Sequence, residues 1–302
     1  MSVSVEGYVL EALVGRGGMA EVYRATALRG PYAGRAVALK RLLPELARDP
    51  EHVALLAEEA AVTRRLHHPS IVEVLETGVA DGVPFLVMEY VDGRNLREVL
   101  ARCGARRILL PVDFGCYVAH VVAGALAHAH EGRDEAGAPL GIVHCDVSPS
   151  NVFVSRLGAV KLGDFGVARA AGSGGRAPGA FGKVQYLAPE LIRGEPPTPR
   201  SDVFALGAVL FELLTNERAF PGRDVNEVGQ RILAGHLRAP SEVRPELPFE
   251  LDVLVLRCLA PDPRERWPSA AEVAREIALR YDGAVGTDLA IAAVVRGLFG
   301  VE

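Results

Sequence analysis

Lys40, Asp146, Asn151 and Asp164 are a cation, two carboxylates and a carboxamide set far apart in one chain. Hard oxygen donors such as those of Asn151 and Asp164 suit a small divalent cation. A lysine suits phosphate oxygens. A carboxylate within reach of a hydroxyl can take its proton. The order is Val37-Ala38-Leu39-Lys40, then Asp146, then Asn151, then Asp164-Phe165-Gly166. In that order the set has what is needed to hold a metal-bound triphosphate and move its last phosphoryl group. Each fragment alone specifies little.

Upstream, Gly15-Arg16-Gly17-Gly18-Met19-Ala20 fits G-x-G-x-x-[GA], a pattern shared with dinucleotide-binding folds. Such folds need the loop to open a helix, with an acidic residue about 20 positions on. Here the loop opens Glu21-Val22-Tyr23-Arg24-Ala25-Thr26, which reads as a strand, and Ala36 to Arg41 holds no acid. No GxxxxGK[ST] sequence occurs. A glycine-rich hairpin can instead lay backbone N–H groups over phosphates, with a lysine on the next strand reaching the same group.

The elements that must position these residues divide the chain. Tyr8–Val14, Glu21–Ala27, Arg35–Leu42, Ile71–Thr77 and Pro84–Tyr90 read as strands, with one helix over Glu51–Leu66 after Pro50. From Asn95 onward the apolar spacing is helical: 95–102, 111–131, 201–214, 225–234, 251–259 and 270–280, with short strands at 152–155 and 160–162. Ala170 to Gly182 is rich in Gly and Ala, and Leu289 to Phe299 reads as a last amphipathic helix.

Composition sets bounds. The 302 residues are 49% hydrophobic and 24% charged, ordinary for a globular enzyme. A net charge of -5 argues against a nucleic-acid surface. Four scattered cysteines without a CxxC pair point to reduced thiols in a cytoplasmic setting. Met1 to Glu6 lacks the basic and apolar regions of a signal peptide. The uncharged run Phe114–His130 is shorter than the ~20 residues of a spanning helix, so it reads as buried and no membrane segment is expected.

With Ala188-Pro189-Glu190, His144-Cys145-Asp146-Val147-Ser148-Pro149-Ser150-Asn151, Asp202 in Ser-Asp-Val-Phe-Ala-Leu-Gly, and Arg266 added, the chain resembles a protein kinase catalytic domain, most of all the bacterial eukaryotic-like (Hanks-type) Ser/Thr kinases. The resemblance covers roughly 8 to 280. It implies an α+β bilobal fold: a five-stranded antiparallel sheet with one helix (1–90) over a mostly helical lobe (91–282), then a tail (283–302), with ATP in the cleft. It implies transfer of the γ-phosphoryl of ATP to Ser/Thr hydroxyls of protein substrates, a signalling role with autophosphorylation or self-association, and Mg²⁺, with Mn²⁺ as an alternative. A pseudokinase acting as a nucleotide-binding or scaffolding regulator is the competing class.

The same resemblance assigns roles. Lys40 orients the triphosphate, held by Glu59 and not Glu58. Asp164 and Asn151 ligate the metal, and Asp146 accepts the hydroxyl proton. Gly15, Gly17 and Gly18 cover the phosphates. Val14, Val22, Ala38 and Phe153 form the adenine slot, with Met88 behind it and the Glu89–Val91 backbone at its edge. His144, Glu190, Asp202 and Arg266 are structural, and His128 and His130 are packing without an acidic partner. Three departures stand out. Cys145 replaces the arginine that binds a phosphorylated activation segment, where only Ser173 and Tyr186 are acceptors. Ser148 replaces the lysine that steadies the γ-phosphate, and Lys183 stands where Ser/Thr kinases carry a threonine. Two readings of Lys183 stand side by side: it reaches back to supply the missing catalytic charge, or it is a solvent-exposed loop lysine. Ala20, in place of the third glycine, is a mild change.

Overall fold

The computed structural model describes residues 4–134, 136–165, 169–170, 183–281 and 287–300. Gly166, the Gly/Ala-rich stretch 171–182 with Ser173, and the start of the expected tail lie outside them. The described residues fall into two compact units. One is drawn from Met1–His67, Ile71–Asp92 and Asp164–Gly166, the other from His68–Ser70, Gly93–Gly163 and Val167–Glu302.

The first unit is one antiparallel sheet and one helix. Its strands are β1 (Ser4–Val5), β2 (Tyr8–Arg16), β3 (Ala20–Ala27), β4 (Ala36–Leu42), β5 (Val74–Ala80) and β6 (Val83–Glu89), in the order β1-β2-β3-β4-β6-β5. A sixth strand thus joins the five expected: two-residue β1 on the edge, too short to show a period. Alternation decides the faces. Val37, Leu39, Ala25, Ala27, Phe85 and Val87 form a buried cluster with Tyr8. The Tyr8 hydroxyl donates to Glu76 at 2.7 Å, joining β2 to β5 across the curl of the sheet. The opposite face carries Ala38, Lys40, Leu86 and Met88, of which Lys40 pairs with Leu86 and Ala38 with Met88. Helix α1 (Pro50–Thr63) covers part of this face through Leu56 and Ala60. It starts where Asp49 caps the Glu51 amide and Pro50 pre-sets the first turn. That placement brings Glu59 toward Lys40.

The second unit contains β7 (Gly93–Asn95), α2 (Leu96–Arg106), α3 (Val112–Glu131), β8 (Ile142–Val143), β9 (Val152–Ser155), β10 (Val160–Leu162), β11 (Arg169–Ala170), α4 (Pro189–Ile192), α5 (Pro199–Thr215), α6 (Val225–Ala234), α7 (Pro240–Val243), α8 (Phe249–Cys258), α9 (Ala270–Tyr281) and α10 (Asp288–Phe299). Residues Ser201 to Thr215 of α5 are all buried, so this helix is the core and its neighbours are arranged round it. Helix α3 is long and apolar enough to cross a membrane, yet it packs on α5 and α9 with most of its apolar residues buried. Strands β10, β9 and β7 form a small sheet. A Cβ at Gly93 would collide with the Val154 carbonyl, which is why glycine opens β7. Helix α10 packs on β9 and α2. There Arg102 donates to the Leu298 carbonyl at 3.1 Å, and the Arg94 and Arg102 guanidinium groups lie over the Phe299 ring.

Candidate active site: two sets of catalytic-type residues

In the first unit, Lys40 Nζ donates to both Glu59 oxygens at 2.7 Å and to Asp164 Oδ1 at 2.9 Å. The Glu59 side chain is only 2% exposed and that of Lys40 11%. Burial alone would lower the lysine pKa, but the charges of Asp164 and Glu59 outweigh it and keep the ammonium protonated. Burial pushes the Glu59 carboxyl up against the pull of Lys40, with the Asp164 charge adding to the rise. Glu59 is thus the helix partner of Lys40. Asp164 sits at φ 63°, a left-handed conformation that Asp tolerates better than most residues.

The glycine loop belongs to the same unit. It turns between β2 and β3 on a bond from the Gly17 amide to the Ala20 carbonyl at 2.8 Å. Added Cβ atoms would find no close neighbour at Gly15, Gly17 or Gly18. Packing within the chain does not require glycine there, so the composition fits a group approaching from outside. Val22, Ala38 and Met88 are half-buried, and Val14 is 51% exposed. The Glu89 amide already donates to the Glu73 carbonyl at 3.0 Å, so this donor of the expected adenine edge is taken. Val91 is half-buried in the same unit, whereas Phe153 lies half-buried on β9 in the second.

In the second unit, Asn151 Nδ2 donates to the Asp146 carbonyl at 2.8 Å and to Asp146 Oδ2 at 2.9 Å. That orientation commits the amide nitrogen and leaves Oδ1 as the Asn151 atom that can meet a cation. Lys183 Nζ is paired with the same Asp146 Oδ2. The Ser148 hydroxyl is buried without a hydrogen-bond partner, so the catalytic loop supplies no charge at that position.

A buried frame holds this loop. Asp202 on α5 accepts from the His144 amide at 2.7 Å and the Cys145 amide at 2.9 Å. His144 Nδ1 accepts from the Asp146 amide, which leaves its Nε2 to donate to the Gly163 carbonyl at 3.2 Å. Both ring nitrogens are engaged in positioning, and His144 is not placed as a base. His130 corrects the sequence reading: it has an acidic partner, Nε2 lying 2.7 Å from Asp202 Oδ2. No local signal links residues so far apart in the chain. His128 stacks on His68 at 5.2 Å. Tyr186 is also corrected. Its hydroxyl donates to Glu212 at 2.5 Å and it is 7% exposed, so it is not presented as a phosphate acceptor. Arg266 grips Glu190 through two bonds of 2.8 Å, and Ser201 donates to the same carboxylate at 2.7 Å. Among the described residues, no cluster of three or more His, Cys, Asp or Glu is arranged to hold a metal.

The fold and these residues define a protein kinase domain: the chain matches that family over residues 8–277 and belongs to it. Among its relatives, a tyrosine-protein kinase of Myxococcus xanthus, MasK, is 37% identical over 98% of this chain and 46% of its own length. A probable serine/threonine-protein kinase of Streptomyces coelicolor is 40% identical over 97% of this chain and 43% of its own. The serine/threonine-protein kinase PknB of Mycobacterium tuberculosis is 36% identical over 91% and 43%. The chain therefore spans less than half the length of these relatives. The kinase domain of PknI from Mycobacterium tuberculosis superposes with a TM-score of 0.67 at 30% identity, covering 92% of this chain and 98% of that one.

Proposed function

We propose that this chain is an active, ATP-dependent protein kinase that phosphorylates Ser and Thr side chains of proteins. The observation that carries this reading is Lys40 held between Glu59 and Asp164, because that ion triad fixes an ammonium where a triphosphate can use it. The family implies ATP and a divalent metal, and the chemistry of the donors fits Mg²⁺: an Asp164 carboxylate and the Asn151 Oδ1 are hard oxygens. Bound there, the ion would neutralise phosphate charge. Lys40 would orient the α- and β-phosphates under the glycine loop. Asp146, aimed by Asn151, would take the proton of the acceptor hydroxyl. Lys183 would carry the positive charge that Ser148 lacks.

The reading extends to a cytoplasmic signalling enzyme that autophosphorylates. The test is incubation of purified protein with labelled ATP and Mg²⁺, alone and with a basic protein, with Asp146→Asn as control and mass spectrometry of the products. Label on Ser or Thr, absent in the variant, is expected. Label on Tyr alone would assign the specificity named for the Myxococcus relative. No label with retained nucleotide binding would leave the pseudokinase reading standing.

A further inference from the structure

A cavity of about 300 Å³ opens in the second unit between α2, the catalytic loop and α5. Its wall includes Pro149 and Ser150, which lie between Asp146 and Asn151 in the chain, and Tyr186, which follows Lys183. Three charged side chains line it: Arg97, Arg218 and Glu212. Glu212 is fully engaged by its neighbours. Its Oε1 meets Arg218 Nε at 3.0 Å, and its Oε2 accepts from the Tyr186 hydroxyl. Arg218 closes the triangle by donating to that same hydroxyl. Burial raises the Glu212 pKa, opposed by the charge of Arg218, the hydrogen bond from Tyr186 and the charge of Arg97.

Arg97 is different. Its backbone amide donates to the Pro149 carbonyl at 3.1 Å, which fixes it beside the catalytic loop. Its guanidinium is exposed and makes no hydrogen bond or ion pair with any described residue. The cavity therefore presents a guanidinium that has no hydrogen-bonded partner and acts on Glu212 and Tyr186 only through its charge, over a pair that neutralises itself, with the Asn216 side chain also on its wall. A basic side chain entering it would find its only carboxylate occupied and two guanidinium groups facing it. An anionic side chain would find Arg97 ready to pair.

We propose that this cavity is a substrate-docking site for an anionic side chain, the carboxylate of Asp or Glu or a phosphorylated Ser, next to the acceptor residue of the protein substrate. Arg97 is the specificity-determining residue, and Arg218 removes Glu212 from competition. The proposal rests on the kinase reading for its biological use, but its binding chemistry stands separately.

The test uses fluorescent peptides with one acceptor serine, in which a single Glu, Gln, Lys or phosphoserine is moved through the flanking positions. Anisotropy without nucleotide reads binding, and phosphorylation with Mg²⁺ and ATP reads kcat/KM. At one flanking position the Glu or phosphoserine peptide should bind about tenfold tighter than the Gln peptide, the scale of a charge-assisted hydrogen bond, and the Lys peptide should be weakest. Comparing Glu with phosphoserine separates carboxylate from phosphate docking. Arg97→Glu should reverse the order of Glu and Lys, and Arg97→Lys should keep it. Equal binding of all the peptides, or an Arg97→Glu protein that keeps the wild-type order, overturns the proposal. If the binding order holds but no peptide gains phosphate, the kinase reading fails and the docking site survives.

Discussion

Asp146 Oδ2 receives two donors from different parts of the second unit, Asn151 Nδ2 and Lys183 Nζ. A carboxylate held at one oxygen by two groups has few rotamers left, which suits an acid–base residue. The two donors differ in kind: Asn151 is a neutral amide, whereas Lys183 also brings a positive charge, which under the proposed function would act on the transferred phosphate. We predict that Lys183→Ala lowers kcat by roughly 10²-fold, the usual loss for a transition-state charge donor, while KM for ATP changes much less. Lys40→Ala should damage both. Steady-state kinetics of the two variants side by side decides, and near-normal turnover of Lys183→Ala would remove it from the chemistry. At Cys145, the residue before this aspartate, no cationic side chain is available to bind a phosphorylated segment. Activity is therefore expected to survive phosphatase treatment, and equally Ser173→Ala. Loss in either case would show a dependence on activation-segment phosphate.

The short helix α4 and the core helix α5 are joined through Glu190, which accepts from Arg266 and from Ser201. Arg266 is 1% exposed, so removing its partner strands a buried charge, a change that costs about 3–5 kcal/mol. Glu190→Gln should lower the urea midpoint accordingly at pH 7. Burial opposes ionisation of Glu190, but the hydrogen bonds and charge of Arg266, with Ser201, win and hold its pKa below the ordinary 4.5. With the folded pKa depressed, the pair's contribution is fully present above pH 4.5 and is lost as pH falls through the folded value. The gap between wild type and Glu190→Gln should therefore narrow below pH 4.5, as equilibrium unfolding at several pH values can measure.

Elements of this kind also show what the sequence discloses. Strands β9 and β10 and helix α6 occupy the spans read from residue pattern, because each carries its full period within its own length. The two-residue strands β1, β8 and β11 and the four-residue helices α4 and α7 are too short for any period and exist through their partners. The Lys40–Glu59 pair is expected from the family resemblance, whereas the bond from Lys40 to Asp164 is not. Nor are the His130–Asp202 contact and the Tyr186–Glu212–Arg218 triangle, because each joins side chains that only the tertiary fold brings together.

At the scale of the molecule, α10 is part of the packed second unit. Ile291, Ala292, Val295 and Leu298 are buried, and Arg102 and Arg106 hold the carbonyls at its end. Gly158 is required beneath it, since a Cβ there would strike the Asp288 carbonyl and its φ is 95°. Leu298→Ala should cost about 2–5 kcal/mol of unfolding free energy, and a shift in the urea midpoint measures it. An unchanged midpoint would mean the helix is not docked in solution.

Asp202 emerges from a helix whose residues 201–215 are all buried, yet it grips the His144 and Cys145 amides that lead into Asp146, the proposed base. Heat inactivation should accordingly be abrupt: on a slow thermal ramp, phosphoryl transfer and helical circular dichroism should vanish over one temperature interval, with no plateau of well-packed but silent protein.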